Sequence, residues 1–294
     1  MIENNTQDRP GPVVVGVDES ENSAYAARWA AREAQTRGVP LTVVHALHLP
    51  TGAALPLEPP EFAEHAREAG HKLLARTVGD IRAEFPGLEV ATELSDLSAA
   101  RTLSTLSLES ALVVTGTRGH GGFTGMLLGS VSHKLAVHAH SPLVVVRGDQ
   151  PENLLDEVVL GVDAGQPEAA IRYAFAAARS YGAVLHAVHA WLPGAASMYS
   201  TEPSLVGFTQ IRDEQSRAVE HLLAPFRSSF PDVKVEITAE RGNPVPILLE
   251  TARDTRLLVV GAHRHRGPLA VGAGYTVDGL LAHSPTPVAV VPIQ

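Results

Sequence analysis

The run Gly116-Thr-Arg-Gly119-His-Gly-Gly-Phe-Thr-Gly-Met-Leu-Leu-Gly129-Ser130 concentrates the residues best suited to chemistry. Five glycines fall in its first ten positions. Main chain without Cβ atoms either turns through positive φ or comes close to something, and both demands suit glycine. The run follows an apolar segment, residues 111–116, and leads into a helical pattern that opens at Ser130. Backbone N–H groups at a helix start bind phosphate oxygens, and the Ser130 hydroxyl adds one more donor. Arg118 and His120 bring positive charge to the same stretch. The expected chemistry is capture of a small phosphorylated molecule; a flexible loop without a ligand is the alternative.

Asp18 ends another apolar run, residues 13–17. It caps the helix that follows, or it accepts hydrogen bonds from the base or sugar of a nucleotide whose phosphates lie on the glycines. The two roles are compatible. Asp163 ends the equivalent run in the second half of the chain, which favours a positional role.

Other catalytic patterns are missing. The chain has no Gly-x4-Gly-Lys-Ser/Thr. Gly119, Gly121 and Gly125 put the third glycine of a dinucleotide fingerprint one residue late, and Gly-x-Ser-x-Gly does not occur. There is no cysteine, so disulfides, thiolate metal sites and cysteine nucleophiles are excluded. His138-x-His140 and His263-x-His265 are the pairs most suggestive of metal ligation, but neither has carboxylate company, and no metal site is expected. Phosphoryl transfer needs a positioned water, a base and charge stabilisation. Arg118 and His120 offer the last of these, but no carboxylate stands beside them in sequence, so no catalytic residue is assigned.

The elements that must hold these residues follow from periodicity. The short apolar run at residues 13–17 reads as a strand buried on both faces, and residues 41–47, 88–94, 111–116 and 143–147 read as further strands. Between them, residues 22–37, 59–85, 99–108 and 130–138 carry helical spacing. Strands follow again at 157–162, 184–190, 233–239, 257–261 and 288–292. Such alternation predicts an α/β protein with parallel sheets and helices on both faces. In that architecture ligands bind beyond the carboxyl ends of the strands, where strand order reverses.

The chain also repeats itself. Val13-Val-Val-Gly-Val-Asp18 returns as Val158-Val-Leu-Gly-Val-Asp163, and Ser141-Pro-Leu-Val-Val-Val146 as Thr286-Pro-Val-Ala-Val-Val291, each 145 positions on. The 294 residues therefore divide into two like domains, 1–150 and 151–294. Lys and Arg number 23 against 32 Asp and Glu, a formal net charge of −9. That balance disfavours a nucleic-acid backbone as partner, yet permits a small anion in a local pocket. No apolar run reaches the roughly 20 residues of a membrane helix, and residues 1–12 do not resemble a signal peptide, so a cytoplasmic protein is expected.

The spacing Gly116-x2-Gly119-x9-Gly129-Ser130 resembles the ATP-binding signature of the universal stress protein family. Asp18, Val44-His45-Ala46 and the closing Ser141-Pro-Leu-Val-Val-Val146 resemble it too, and the likeness covers both halves. It implies two tandem five-stranded sheets of order 3-2-1-4-5, related by a pseudo-two-fold, with the fifth strands paired as an intramolecular pseudo-dimer; a homodimer is the further possibility. It implies ATP between the ends of strands 1 and 4, with Mg2+ accompanying the phosphates. Asp18 then contacts the adenosine, residues around Val44 flank the adenine, and Gly116, Arg118, Gly119, His120, Gly129, Ser130 and Val131 surround the ribose and phosphates. Asp163, Gly261 and Gly274 are the corresponding residues of the second half, where Arg264 replaces Gly119 and Tyr275 replaces Ser130. Unequal sites are expected, the first competent and the second degenerate. The implied function is ATP-binding regulation in the stress response. Ordering a glycine-rich loop costs much backbone entropy, so occupancy would change a surface read by an unidentified protein partner. The alternative is an ATP-using enzyme of the same broad fold, a slow ATPase or a nucleotidyl transferase.

Overall fold

Val13, Val14 and Val15 are almost completely shielded from solvent, as a strand covered on both faces must be. They form β1 (Val13–Gly16), which lies parallel to β2 (Leu41–Ala46) on one side and β4 (Leu112–Gly116) on the other. With β3 (Val90–Ser95) and β5 (Leu143–Val146) the order is β3-β2-β1-β4-β5. The computed structural model describes residues 11–47, 60–119, 128–148, 154–163, 168–192, 205–262 and 273–292. Within them the chain divides into two compact units between Gln150 and Pro151.

In the first unit α1 (Glu21–Arg37) packs on β1, β4 and β5, and α2 (Pro60–Glu84) on β2 and β3. The opposite face is covered by α3 (Ala99–Leu106) and α4 (Ser130–His138). Ala26, Ala27, Ala30, Ala31 and Ala34 make up most of the buried side of α1. Side chains that small bring the helix axis close to the sheet, a closeness that matters at Gly116. Gly38 ends α1 in the left-handed region, φ 64°, donating its N–H to Ala34 and Gln35.

The second unit repeats the plan. Its strands are β6 (Leu155–Gly161), β7 (Val184–Trp191), β8 (Val235–Arg241), β9 (Thr255–Ala262) and β10 (Val288–Pro292), in the order β8-β7-β6-β9-β10. Its helices are α5 (Glu168–Tyr181), α6 (Leu205–Ser229), α7 (Pro244–Thr251) and α8 (Tyr275–His283). The strand order in both units is the one the resemblance implied.

The repetition reaches individual contacts. His45 Nδ1 lies 2.8 Å from Val17 O, and His189 Nδ1 lies 2.8 Å from Val162 O. A carbonyl only accepts, so both rings carry their proton on Nδ1. Each histidine thereby ties the end of the second strand to the residue just before Asp18 or Asp163. A Cβ on Gly16 would meet Leu103 at 2.7 Å, and one on Gly161 would meet Leu248 at 3.0 Å.

Two strands start two residues later than the periodicity predicts. β3 begins at Val90 rather than Leu88, because Gly87 (φ 89°) turns the chain and the Leu88 N–H closes on Phe85 O at 3.2 Å. β8 begins at Val235 rather than Val233 for a similar reason. The Val233 N–H bonds to Phe230 O at 3.1 Å, leaving Val233 buried beneath the turn rather than in the ladder.

Candidate functional site

Strand order reverses between β1 and β4, so their carboxyl ends frame the crevice in which an α/β sheet receives ligands. Asp18 and Gly116–Gly119 are the residues the chain brings there.

Asp18 is fixed from its own loop. Its Oδ1 accepts the Ser20 N–H at 3.0 Å and the Ser20 hydroxyl at 2.5 Å. The Asp18 N–H donates to Ser23 Oγ at 3.1 Å, and that hydroxyl donates to Asp18 O at 2.6 Å. Ser20, not Asp18, is the N-cap of α1, accepting the Ser23 N–H. The capping role expected of Asp18 is thus corrected: a cap must be the residue immediately outside the helix, and Asp18 lies two positions before it. Its carboxylate points across to the turn after β4 instead. A Cβ placed on Gly119 would collide with Asp18 Oδ2, and the Ser20 hydroxyl lies 3.3 Å from Arg118 O.

The other glycines of the motif also have neighbours within the protein. A Cβ on Gly116 would stand 2.9 Å from the carbonyl carbon and oxygen of Asn22, in the first turn of α1. One on Gly129 would stand 3.1 Å from Thr117 O, which accepts the Gly129 N–H at 2.7 Å. Gly129 has φ −73°, an angle open to any residue, so crowding rather than backbone conformation calls for glycine there. The three glycines allow α1, the Asp18 loop and the start of α4 to meet around the end of β4.

Gly129 is the N-cap of α4 and, having no side chain, leaves the N–H groups of Ser130, Val131 and Ser132 without a capping oxygen from it. The first turn of α4 holds no acidic residue. Ser130 is exposed, while Ser132 is buried and donates to Gly116 O at 2.8 Å, with Thr115 Oγ1 at 3.2 Å. Arg118 is exposed, and Arg147, just past β5, is half-buried. Burial, and after it the Arg118 guanidinium, hold Arg147 below the ordinary arginine range. Two cations thus approach each other at the ends of β4 and β5.

Val44 belongs to the core: it is 2% exposed, and its carbonyl accepts the Val17 N–H at 2.8 Å. His120 lies outside the described residues, as do His263, Arg264 and His265. His138 and His140 are exposed, and no group of three or more His, Asp or Glu side chains converges among the described residues. No helix among them is long and apolar enough to cross a membrane.

The second unit departs from the first in more than the two replacements seen in sequence. Asp163 and Gly261 end β6 and β9 regions as Asp18 and Gly116 end theirs, but Gly165 and Glu168 stand in place of Ser20 and Ser23. Thr115, Thr117 and Ser132 give way to Val260, Ala262 and Val277, all buried. Gly274 caps α8 at φ 107°, where only glycine is comfortable, in contrast to the extended Gly129. Tyr275, in the place of Ser130, is 75% exposed. Asp278 stands in the first turn of α8 where α4 has His133. A carboxylate there already complements the positive helix end and opposes an incoming anion. Asp278 escaped the sequence reading; aligning the repeats through both helices would have found it.

The universal stress protein family model matches the chain twice, over residues 11–147 and 155–292. A universal stress protein of Mycolicibacterium smegmatis is 36% identical over 293 residues, covering 95% of this chain and 96% of the relative. One from Mycobacterium tuberculosis (strain H37Rv) is 32% identical over 288 residues, covering 95% and 96%. The crystal structure of a universal stress protein from Archaeoglobus fulgidus superposes with a TM-score of 0.71 at 18% identity, covering 97% of each chain, and shares the fold. With both halves matched by the family model and the relatives aligned from end to end, the chain belongs to the universal stress protein family.

Proposed function

We propose that the first unit is an ATP-binding regulatory module, and that the second binds ATP weakly or not at all. The observation that carries this is the convergence of Asp18, Gly119 and the N-terminus of α4 on one crevice. Asp18 supplies acceptors for a sugar or base donor. The N–H groups of Ser130 and Val131, the Ser130 hydroxyl and Arg118 supply donors and charge for phosphates. Main chain around Val44 flanks the base. A Mg2+ ion would be carried by the nucleotide's own phosphates, since no protein cluster among the described residues offers it three ligands. ATP binding is the signal, and its readout is the state of the segment between Gly116 and Ser130, as presented to a protein partner.

In the second unit the corresponding helix start carries Asp278 and the exposed Tyr275, and the hydroxyls around β4 are replaced by apolar side chains. These changes support unequal sites.

Calorimetric titration of the full chain with ATP tests the reading. One site of micromolar affinity is expected, weakened to the millimolar range by D18A and unaffected by D163A. Two equal sites, or none at millimolar ATP, would overturn it. Hydrogen exchange at residues 116–119 and 128–131 should slow on ATP addition if the segment is the switch.

A further inference from the structure

We infer that Ser20 is a positioning residue for the ligand, acting through Asp18 and linking it to the turn after β4; this rests on the nucleotide reading of the first unit. Both donors of Ser20, its N–H and its hydroxyl, converge on Asp18 Oδ1 at 3.0 and 2.5 Å. Two donors on one carboxylate oxygen fix the torsion of the side chain, and hydrogen bonds to a charged acceptor are the stronger kind. The second oxygen, Oδ2, is thereby held over Gly119. The same hydroxyl lies 3.3 Å from Arg118 O, so a single group stands between the loop after β1 and the loop after β4.

A serine hydroxyl has one proton. At 2.5 Å that proton is committed to Asp18, and Arg118 O is the second acceptor in reach. When a ligand donor engages the Asp18 carboxylate, the Ser20 proton is able to turn to Arg118 O and tighten the contact between Ser20 and Arg118. Ser20 therefore does two things at once: it presents Asp18, and it couples Asp18 to the phosphate-facing turn. The second unit has glycine at the equivalent position, 165, and lacks this hydroxyl altogether.

The test uses the full chain and ATP titration of wild type, S20A, S20T, D18A and D18A/S20A, extended to millimolar ATP. S20A should weaken ATP binding about tenfold, and S20T, which keeps the hydroxyl, should return affinity to within about twofold. In the D18A background S20A should have no further effect, because its role is exercised through the carboxylate. S20A also removes the cap of α1, and loss of the cap alone would lower affinity by the same factor in both backgrounds. That outcome, failure of S20T to rescue, or an S20A that binds like wild type would each overturn the role of Ser20 while leaving the nucleotide reading intact. A wild-type protein that takes up no ATP would overturn that reading, and this role with it.

Discussion

Asp18 Oδ2 occupies the space that a Cβ on residue 119 would need. The two residues are about a hundred positions apart, and they meet because β1 and β4 are adjacent parallel strands whose ends open into the same crevice. Glycine at 119 thus serves the carboxylate as much as any ligand. G119A should push the Asp18 side chain off its Ser20 contacts, or shift the turn after β4, and weaken ATP binding by tenfold or more. Gly119 is exposed, so the melting temperature should move little. A G119A protein that binds ATP like wild type would show that the contact does not shape the site.

Gly116 faces a different constraint. Its Cβ would press on the backbone of Asn22, and backbone cannot give way as a side chain can. G116A should therefore lower stability by about 1–3 kcal/mol, as overpacking does, and lower ATP affinity along with it. G129A is the milder change, since its backbone angle suits alanine and only Thr117 O must yield slightly. Its cost should stay under about 1 kcal/mol. Urea denaturation of the two variants should separate them; equal midpoints would contradict the difference in packing.

The strands, their order and the repeat were legible because runs such as 13–17 are apolar without interruption, and the halves keep step at 145 residues. The motif glycines were legible as a pattern, but their reasons were not. Gly116 answers to Asn22, and Gly119 to Asp18, and both neighbours arrive only when the sheet assembles. The cap of α1 was misread because Asp18, Ser20 and Ser23 are all suited to capping, and the choice among them depends on where the backbone turns helical. Val44 sits in an apolar strand whose inward face the alternation of residues could not settle, because both faces of the sheet are covered. Leu88 and Val233 are apolar and extend the strand pattern two residues too far, because both belong to turns.

Thr115 and Ser132 form a buried polar pair in the first unit where the second has Val260 and Val277. Ser132 gives its one proton to Gly116 O, so it accepts from Thr115. S132V takes the acceptor from the buried Thr115 hydroxyl, whereas T115V leaves Ser132 still bonded to Gly116 O. S132V alone should destabilise by about 1–3 kcal/mol, and T115V by less. The double variant should cost clearly less than the two combined, as the second unit's packing suggests. Simple additivity in urea denaturation would mean that the two hydroxyls do not act as a pair.

Arg118 and Arg147 are like charges at neighbouring strand ends, and Arg147 is held below its usual range by burial and by Arg118. A bound polyphosphate relieves that repulsion. R118Q and R147Q should each weaken ATP binding about tenfold and flatten its dependence on salt. R147Q leaves Arg118 without its like-charged neighbour, so the ligand-free protein should be no less stable than wild type in thermal denaturation. A salt dependence unchanged in both variants would place the phosphates elsewhere.

The first turns of α4 and α8 offer a test in which stability and binding should move in opposite directions. His133 and Asp278 hold the same position in the two helices, each donating its N–H to the capping glycine's carbonyl, at 3.1 and 2.9 Å. A carboxylate near a helix N-terminus stabilises it by about 0.3–1 kcal/mol, but it repels an anion approaching the same N–H groups. Relative to H133N, which controls for loss of the imidazole, H133D should raise the melting temperature while lowering ATP affinity by about three- to tenfold. A ligand that owed its affinity to the sugar and base alone would leave affinity unchanged. If H133D gained stability and kept ATP affinity, the start of α4 would not be where the phosphates sit, and the contrast with Asp278 would no longer explain unequal sites.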